Sequence, residues 1–199
     1  MLKRVFDLVC SLMLILILFP LLVAISMCIF IADGRPLLYV SERMKSPTQG
    51  FKLVKFRTMK PVYGDKGVSG GDKANRLTRT GPFLRRTRLD ELPQLWNILL
   101  GDVSFIGPRP PLRQYVERFP DLYSEVLKSR PGVSGLASIY FHAHEEHLLS
   151  RSNSVEVTDE IYCRACIPRK ARIDLLYQAN QSICFDIKLM LKTVFKRLI

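Results

Sequence analysis

Between Leu8 and Ala32 the chain carries no charged side chain, and this stretch, "LVCSLMLILILFPLLVAISMCIFIA", exceeds the roughly 20 apolar residues that cross a bilayer. A segment of this kind belongs in lipid. It is not a signal peptide, because the run outlasts the usual apolar region of about 7–15 residues and no small-residue cleavage site follows it. Pro20 stands in the middle, where it removes a backbone hydrogen bond and clashes with the preceding turn, so a kink is expected there. Both flanks are basic, with Lys3 and Arg4 before the run and Arg35, Arg43, Lys45, Lys52, Lys55 and Arg57 after it. Positive residues favour the cytoplasmic side, so both ends are drawn there. Two architectures satisfy these facts: a hairpin that enters, breaks at Pro20 and returns, or a tilted spanning helix that tolerates its proline.

The chain is 199 residues long, enough for one domain with a real core plus some extra elements. Its formal net charge of +12 calls for an anionic partner, whether nucleic acid, an anionic membrane or a phosphorylated substrate. Basic faces interleaved with aromatics, which would suit nucleic acid, are not found, and no nucleic-acid partner is expected. Five cysteines, an odd number spread between the apolar run and the C-terminal part, do not form the pattern of a secreted disulfide framework and point to a reducing compartment.

Beyond the breaker Asp33-Gly34-Arg35-Pro36, "LLYVSER" and "FKLVKFRTM" read as short strands. In the second, Phe51, Leu53 and Val54 are assigned to the core and Lys52, Lys55 and Arg57 to the outside, close to the membrane exit. The glycine-rich "VYGDKGVSGGDKANRLTRTG" reads as a loop, and its "GVSGGDK" lacks the glycine–lysine–hydroxyl ending of a phosphate-binding loop. At the end, "ICFDIKLMLKTVFKRLI" sets Lys188, Lys192 and Lys196 opposite Ile187, Leu191, Val194 and Leu198, a basic amphipathic helix suited to an anionic membrane surface.

The most informative stretch is "LDELPQLWNILLGDVSFIGPRPP". It reads as a short helix beginning near Asp90, with Pro93 in its first turn and Gly101 as its stop. Asp90 and Glu91 then lie at the positive end of the helix dipole beside Arg85, Arg86 and Arg88, and both are expected to be ionised. An ionised aspartate in that field can be a nucleophile, and a carboxylate beside it can hold Mg²⁺ against phosphate oxygens. The plainer reading makes Asp90 a helix cap and Glu91 the partner of Arg88. Arg109, fixed between two prolines, is placed for bidentate phosphate binding or for a structural ion pair.

At these residues the chain resembles the bacterial sugar transferases, small monotopic phosphoglycosyl transferases. The matching stretches are "KRVFDLV" with its apolar run, "FKLVKFRTM", "RLTRTGPFLRRTRLDELPQLWNILLGDVSFIGPRP", "RPGVSGLA" and "ARIDLLYQANQSICFDIKLMLKT". The resemblance implies a mostly helical, membrane-associated α+β fold. A re-entrant helix hairpin broken at Pro20 (residues 1–35) would carry a compact cytoplasmic catalytic body (residues 36–199) with short strands and interfacial amphipathic helices. It implies transfer of a sugar 1-phosphate from a UDP-sugar to polyprenyl phosphate, typically undecaprenyl phosphate, with release of UMP. Asp90 would be the nucleophile that carries the phosphosugar, Glu91 with Asp90 would hold Mg²⁺, and Arg109 would contact phosphate. Lys55, Arg57 and Arg88 join Arg109 as candidate phosphate or substrate contacts. The implied setting is the cytoplasmic face of the bacterial inner membrane, among anionic lipids; a homodimer is compatible with the sequence but not required by it. The alternative is an inactive member that serves as a membrane scaffold in a glycan-assembly complex.

Two departures from the family pattern stand out. Phe19 replaces the serine that often precedes the helix-breaking proline. After "RPGVSG" the chain reads "LASIYFHAHEEH", which places His142 about where the family has an arginine, so His142 is a candidate substrate contact and this region is expected to affect donor choice. The histidines here and Cys163 and Cys166 make only a weak zinc pattern, and they are assigned instead to a polar helix or loop and to packing.

Overall fold

A computed structural model of the chain describes residues 2–61 and 75–195. Most of the glycine-rich loop, including "GVSGGDK", and the positions of Lys196 and Leu198 lie outside the described residues.

The architecture is mostly helical α+β with two small sheets. One long apolar helix, α1 (Leu2–Asp33), is followed by a hairpin of β1 (Leu38–Met44) and β2 (Gly50–Phe56), antiparallel with Leu38 opposite Phe56 and Met44 opposite Gly50. Next come α2 (Gly81–Thr87), a 3₁₀ turn (Leu89–Glu91), α3 (Gln94–Leu100) and β3 (Ser104–Ile106). Then α4 (Arg113–Arg118) and α5 (Pro120–Val126) lead to β4 (Gly132–Ser134), which lies parallel to β3. Helices α6 (Leu136–Tyr140), α7 (His142–Leu149) and α8 (Val155–Ile161) precede a π-helical turn (Tyr162–Cys166). Finally α9 (Ile167–Ala179) and α10 (Ile183–Phe195) close the described chain.

The helical pattern of α1 continues through Pro20. Its middle rests on the body, with Leu14, Ile15 and Leu18 against Phe51, Leu53, Leu95, Ile98 and Val103. Farther along, Ile25 and Ile29 are buried with Phe56 and Leu84. The opposite face is apolar and open, with Leu16, Phe19 and Ile31 all more than half exposed. Two serines within this apolar helix bond back to its own carbonyls, Ser11 to Leu8 and Ser26 to Leu22, so neither hydroxyl is left unpaired.

Both ends of α1 are tied to the same body. Near its start, Arg4 donates to the carbonyls of Ile98 and Leu99 at 2.5 and 2.8 Å, cations meeting the last carbonyls of α3. Lys3 pairs with Asp186 of α10 and reaches the Ile106 carbonyl. At the far end Arg57 donates to the carbonyls of Pro36, Asp33 and Gly34 at 2.6, 2.7 and 2.9 Å. The Asp33 carboxylate in turn accepts from the Arg79 and Thr80 backbone amides and the Thr80 hydroxyl.

Arg57 is therefore buried at the exit of α1, not turned outward as the alternation of β2 suggested. Strand parity is the reason: Lys55 shares the inward side with Phe51 and Leu53, and Arg57 continues that side past the strand's end, whereas Lys52 is exposed. Arg57→Met keeps most of the bulk and deletes three charge-assisted bonds. It should lower unfolding stability by about 3 kcal/mol, read as a fall in Tm of the detergent-solubilised chain.

Candidate active site

Three segments converge on Glu91. The first is β2, whose Lys55 donates to Glu91 Oε1 at 2.8 Å. Its partner helix α3 is bound to β2 through buried Asn97, whose amide donates to the Lys52 carbonyl at 2.8 Å and accepts from the Val54 amide at 3.1 Å. One side chain thus fixes how far α3 and the turn before it stand from the strand.

The second segment is the 3₁₀ turn itself. Asp90 and Glu91 sit in this turn ahead of α3, which begins only at Gln94, because Pro93 falls at its N-cap. Arg88 joins α2 to the turn with a left-handed φ of 54°, a conformation that costs about 1–3 kcal/mol for a residue with a side chain. That reversal brings Arg88 Nη1 to 3.7 Å from Glu91 Oε2.

The third is the Pro108-Arg109-Pro110 loop, held by backbone packed directly on backbone. Side chains on Gly107 and Gly132 would collide, since a Cβ on Gly132 would lie 2.1 Å from Gly107 N. The glycines let three bonds zip the loop to the β4 segment: Ser104 N to Pro131 O, Gly107 N to Ser134 O and Gly132 N to Pro108 O, at 2.8–2.9 Å. The loop so fixed holds Arg109 Nη1 at 3.6 Å from Glu91 Oε1. Arg109 keeps 38% of its side chain accessible and donates no hydrogen bond among the described residues.

The adjacent acids differ in state. Glu91 is buried, which alone would raise its pKa, but Lys55, Arg109 and Arg88 together hold it down at about 2. Asp90 is only 8% exposed, takes no hydrogen bond among the described residues, and is pushed upward by burial and by Glu91 against the pull of Lys55, Arg85 and Arg109. Glu91 is held ionised as expected, though by direct ion pairs and not by a helix dipole, while desolvation is the leading influence on Asp90.

Of the other predicted contacts, Lys55, Arg88 and Arg109 are brought together with the acids, and Arg57 is spent on α1. His142, at the start of α7, lies in the field of Arg88 and Arg109, and burial followed by these cations lowers its pKa. The zinc ligand types do not assemble: among the described residues no cluster of three or more metal-binding side chains occurs. Cys163 and Cys166 pack in the core with Tyr115 and Tyr162, and the His144 ring lies tilted against Phe141 with centres 5.3 Å apart.

Sequence reasoning missed the layer behind the site. Arg43 is half-buried there, its pKa lowered to about 10 by desolvation and by Arg109. Lys170 bonds both carboxylate oxygens of Glu145 at 2.8 and 3.1 Å and the Tyr162 hydroxyl at 3.3 Å. These groups are far apart along the chain, and no local spacing relates them. Arg85, by contrast, stood in the arginine-rich run; it bonds Thr58 Oγ1 at 3.1 Å on the Asp90 side of the site.

Glu91 has its pKa depressed from 4.5, so its contribution to stability is complete above about pH 4.5 and is lost as pH falls toward 2. Glu91→Gln should flatten the acid unfolding profile across that window and cost about 3 kcal/mol at neutral pH. Thermal unfolding of the solubilised chain between pH 2 and 7 reads both effects.

The profile of the bacterial sugar transferase family matches residues 1–199. The chain is similar to the UDP-glucose:undecaprenyl-phosphate glucose-1-phosphate transferase of Escherichia coli (strain K12), at 32% identity over 98% of this chain and 40% of that protein. A putative undecaprenyl-phosphate N-acetylgalactosaminyl 1-phosphate transferase of Bacillus subtilis (strain 168) is 42% identical over 59% of this chain and 66% of its own length. An uncharacterized sugar transferase of the same organism, EpsL, is 32% identical over 100% of this chain and 88% of its own length. The chain thus spans about two fifths of the Escherichia coli relative's length.

Proposed function

The chain belongs to the bacterial sugar transferase family, and from that membership we propose that it moves a sugar 1-phosphate from a UDP-sugar to undecaprenyl or a related polyprenyl phosphate, releasing UMP. The observation that carries this reading is Asp90, a buried carboxylate free of hydrogen bonds among the described residues and surrounded by Lys55, Arg85 and Arg109. Asp7 and Asp174 are also buried with carboxylate oxygens that take no hydrogen bond among the described residues, so it is the three cations around Asp90 that single it out. A nucleophile must keep its lone pairs for the substrate.

In the first step an Asp90 oxygen attacks the β-phosphorus, the bond to the bridging oxygen breaks, and UMP leaves with that electron pair. In the second, a phosphate oxygen of the polyprenyl phosphate attacks the same phosphorus and returns Asp90 as a free carboxylate. A water-soluble donor and a lipid acceptor thereby use one nucleophile in turn. Arg88 and Arg109 bind the donor's phosphates and hold the β-phosphorus within reach of Asp90. Lys55 and Glu91 keep that arrangement fixed.

The donor set fits Mg²⁺. Asp90 offers an unbonded carboxylate, and Glu91 Oε2 faces Arg88 only at 3.7 Å, beyond hydrogen-bond range. Two adjacent hard carboxylates that leave the remaining positions to water and phosphate are the set this ion takes. When bound, Mg²⁺ would neutralise charge developing on the transferring phosphoryl group.

The membrane placement follows from α1. A helix of 32 residues is about 48 Å long, longer than a bilayer's hydrocarbon core of about 30 Å, yet both its ends bond one body. This supports a monotopic seat, with residues 1–35 entering and leaving the cytoplasmic leaflet of the inner membrane and residues 36–199 forming the catalytic body on that side. The exposed Lys188 and the apolar Leu191 and Val194 of α10 suit the same anionic surface.

Asp90→Asn removes the nucleophile's charge with little change in volume and should reduce turnover at least about a thousandfold while leaving membrane insertion intact. UMP release from purified protein with undecaprenyl phosphate and a panel of UDP-sugars is the measurement, and EDTA should abolish it. Near-normal release by this variant would refute the covalent route.

A further inference from the structure

The helix that follows α6 is an unusual packing element. α7 is "HAHEEHLL", with no strong apolar face, and only its Leu149 is buried. Its position is fixed by polar contacts. Glu145 is gripped through both oxygens by Lys170, which is itself held by the Tyr162 hydroxyl and sits 5.1 Å from that ring's centre. Both partners of this ion pair are largely buried, so it acts as a firm anchor and not as a loose surface contact.

With Glu145 turned to the core, its helical neighbours His142 and Glu146 project from another side of α7. They face each other across one turn, His142 Nε2 at 3.8 Å from Glu146 Oε1, with 44% and 72% of their side chains accessible. This side lies near the arginine loop: Phe141, the residue before α7, packs in one buried cluster with Met44, whose amide donates to the Pro111 carbonyl two residues past Arg109 at 3.0 Å, and Arg88 and Arg109 act on His142 as Glu146 acts on Arg85. Neither residue suits phosphate. Glu146 would repel it, and a His142 that its surroundings keep neutral brings no charge to it.

In a nucleoside diphosphate sugar the sugar's anomeric carbon is attached through one oxygen to the β-phosphorus, so the sugar ring must lie directly beside whatever binds that phosphate. A carboxylate and a neutral imidazole at the edge of the arginine cluster are groups that accept and donate hydrogen bonds with hydroxyl and amino functions. We propose that α7 is the wall that reads the donor's sugar, with Glu146 and His142 contacting its hydroxyl or amino groups and the Glu145–Lys170 pair holding that wall in place. This rests on the transferase reading above and deepens it. Glu146 and His142 set which sugar is accepted, while Arg88 and Arg109 bind what all UDP-sugars share.

The test compares wild type with Glu146→Gln and His142→Gln, two substitutions at accessible positions, using kcat/KM for UDP-glucose, UDP-galactose and the two corresponding UDP-N-acetylhexosamines. Inhibition by UDP reports on the shared half of the donor. The expected result is a change of about tenfold in the ratio of kcat/KM between donors for Glu146→Gln, with UDP inhibition within about twofold of wild type. An equal loss on every donor, or unchanged ratios in both variants, would overturn the assignment of α7 while leaving the transferase reading intact. Absence of wild-type turnover on all four donors, with lipid and Mg²⁺ present, would overturn that reading and the inference with it.

Discussion

Glu91 is the charge on which the site is assembled. Lys55 comes from β2, Arg88 from the turn after α2, and Arg109 from the loop after β3, and each would repel the other two without a carboxylate between them. Burial raises the stakes, because an isolated charge out of water is costly and a paired one is not. Lys55 shows both forces at once, since desolvation pulls its pKa down and Glu91 pulls it back up. Once Glu91 has gathered these groups, the cations around the pair still outnumber the acids. Arg43 and Arg85 add to the excess. A site with surplus positive charge is most stable when an anion fills it.

The same economy connects the site to the apolar helix. Arg4 caps α3, the helix that immediately follows Asp90 and Glu91, and Asn97 fastens α3 to β2, the strand that supplies Lys55. At its other end α1 is held by Arg57, two residues beyond Lys55 on the same chain. A displacement of α1 is thereby transmitted to both sides of the acid pair. In the membrane-seated reading, the depth of α1 in lipid and the height of Asp90 above it are set by the same few bonds.

Much of this was legible in the sequence because it was local. The apolar run, the two strands, the acid pair before a short helix, and an arginine between prolines each depend on a few adjacent residues. The errors came where two elements compete for one side chain. Strand parity puts Lys55 and Arg57 of "FKLVKFRTM" on the inward side, but what receives a cation there is not local: Glu91 meets Lys55, and the carbonyls of Asp33, Gly34 and Pro36 meet Arg57. Along α1 the body is met on both sides of Pro20, at Leu18 and at Leu22, contacts that no spacing within the apolar run announces. Glu145 and Lys170 stand 25 residues apart, and only the folded chain makes them a pair.

The neighbouring acids show why adjacency in sequence does not mean equivalence in chemistry. Glu91 is more strongly paired, so its charge is secure and its Oε1 is committed to Lys55 and Arg109. Asp90, one residue earlier, is buried without a bonded partner among the described residues, so its charge is less favourable and its oxygens remain uncommitted. A carboxylate in that condition gains more from a phosphorus electrophile or a metal ion than a well-paired one does, because it gives up no existing bond to make the new one. The side-by-side placement is what permits the difference: Glu91 holds the cations that Asp90 needs nearby, and by binding them itself it keeps them from closing on Asp90.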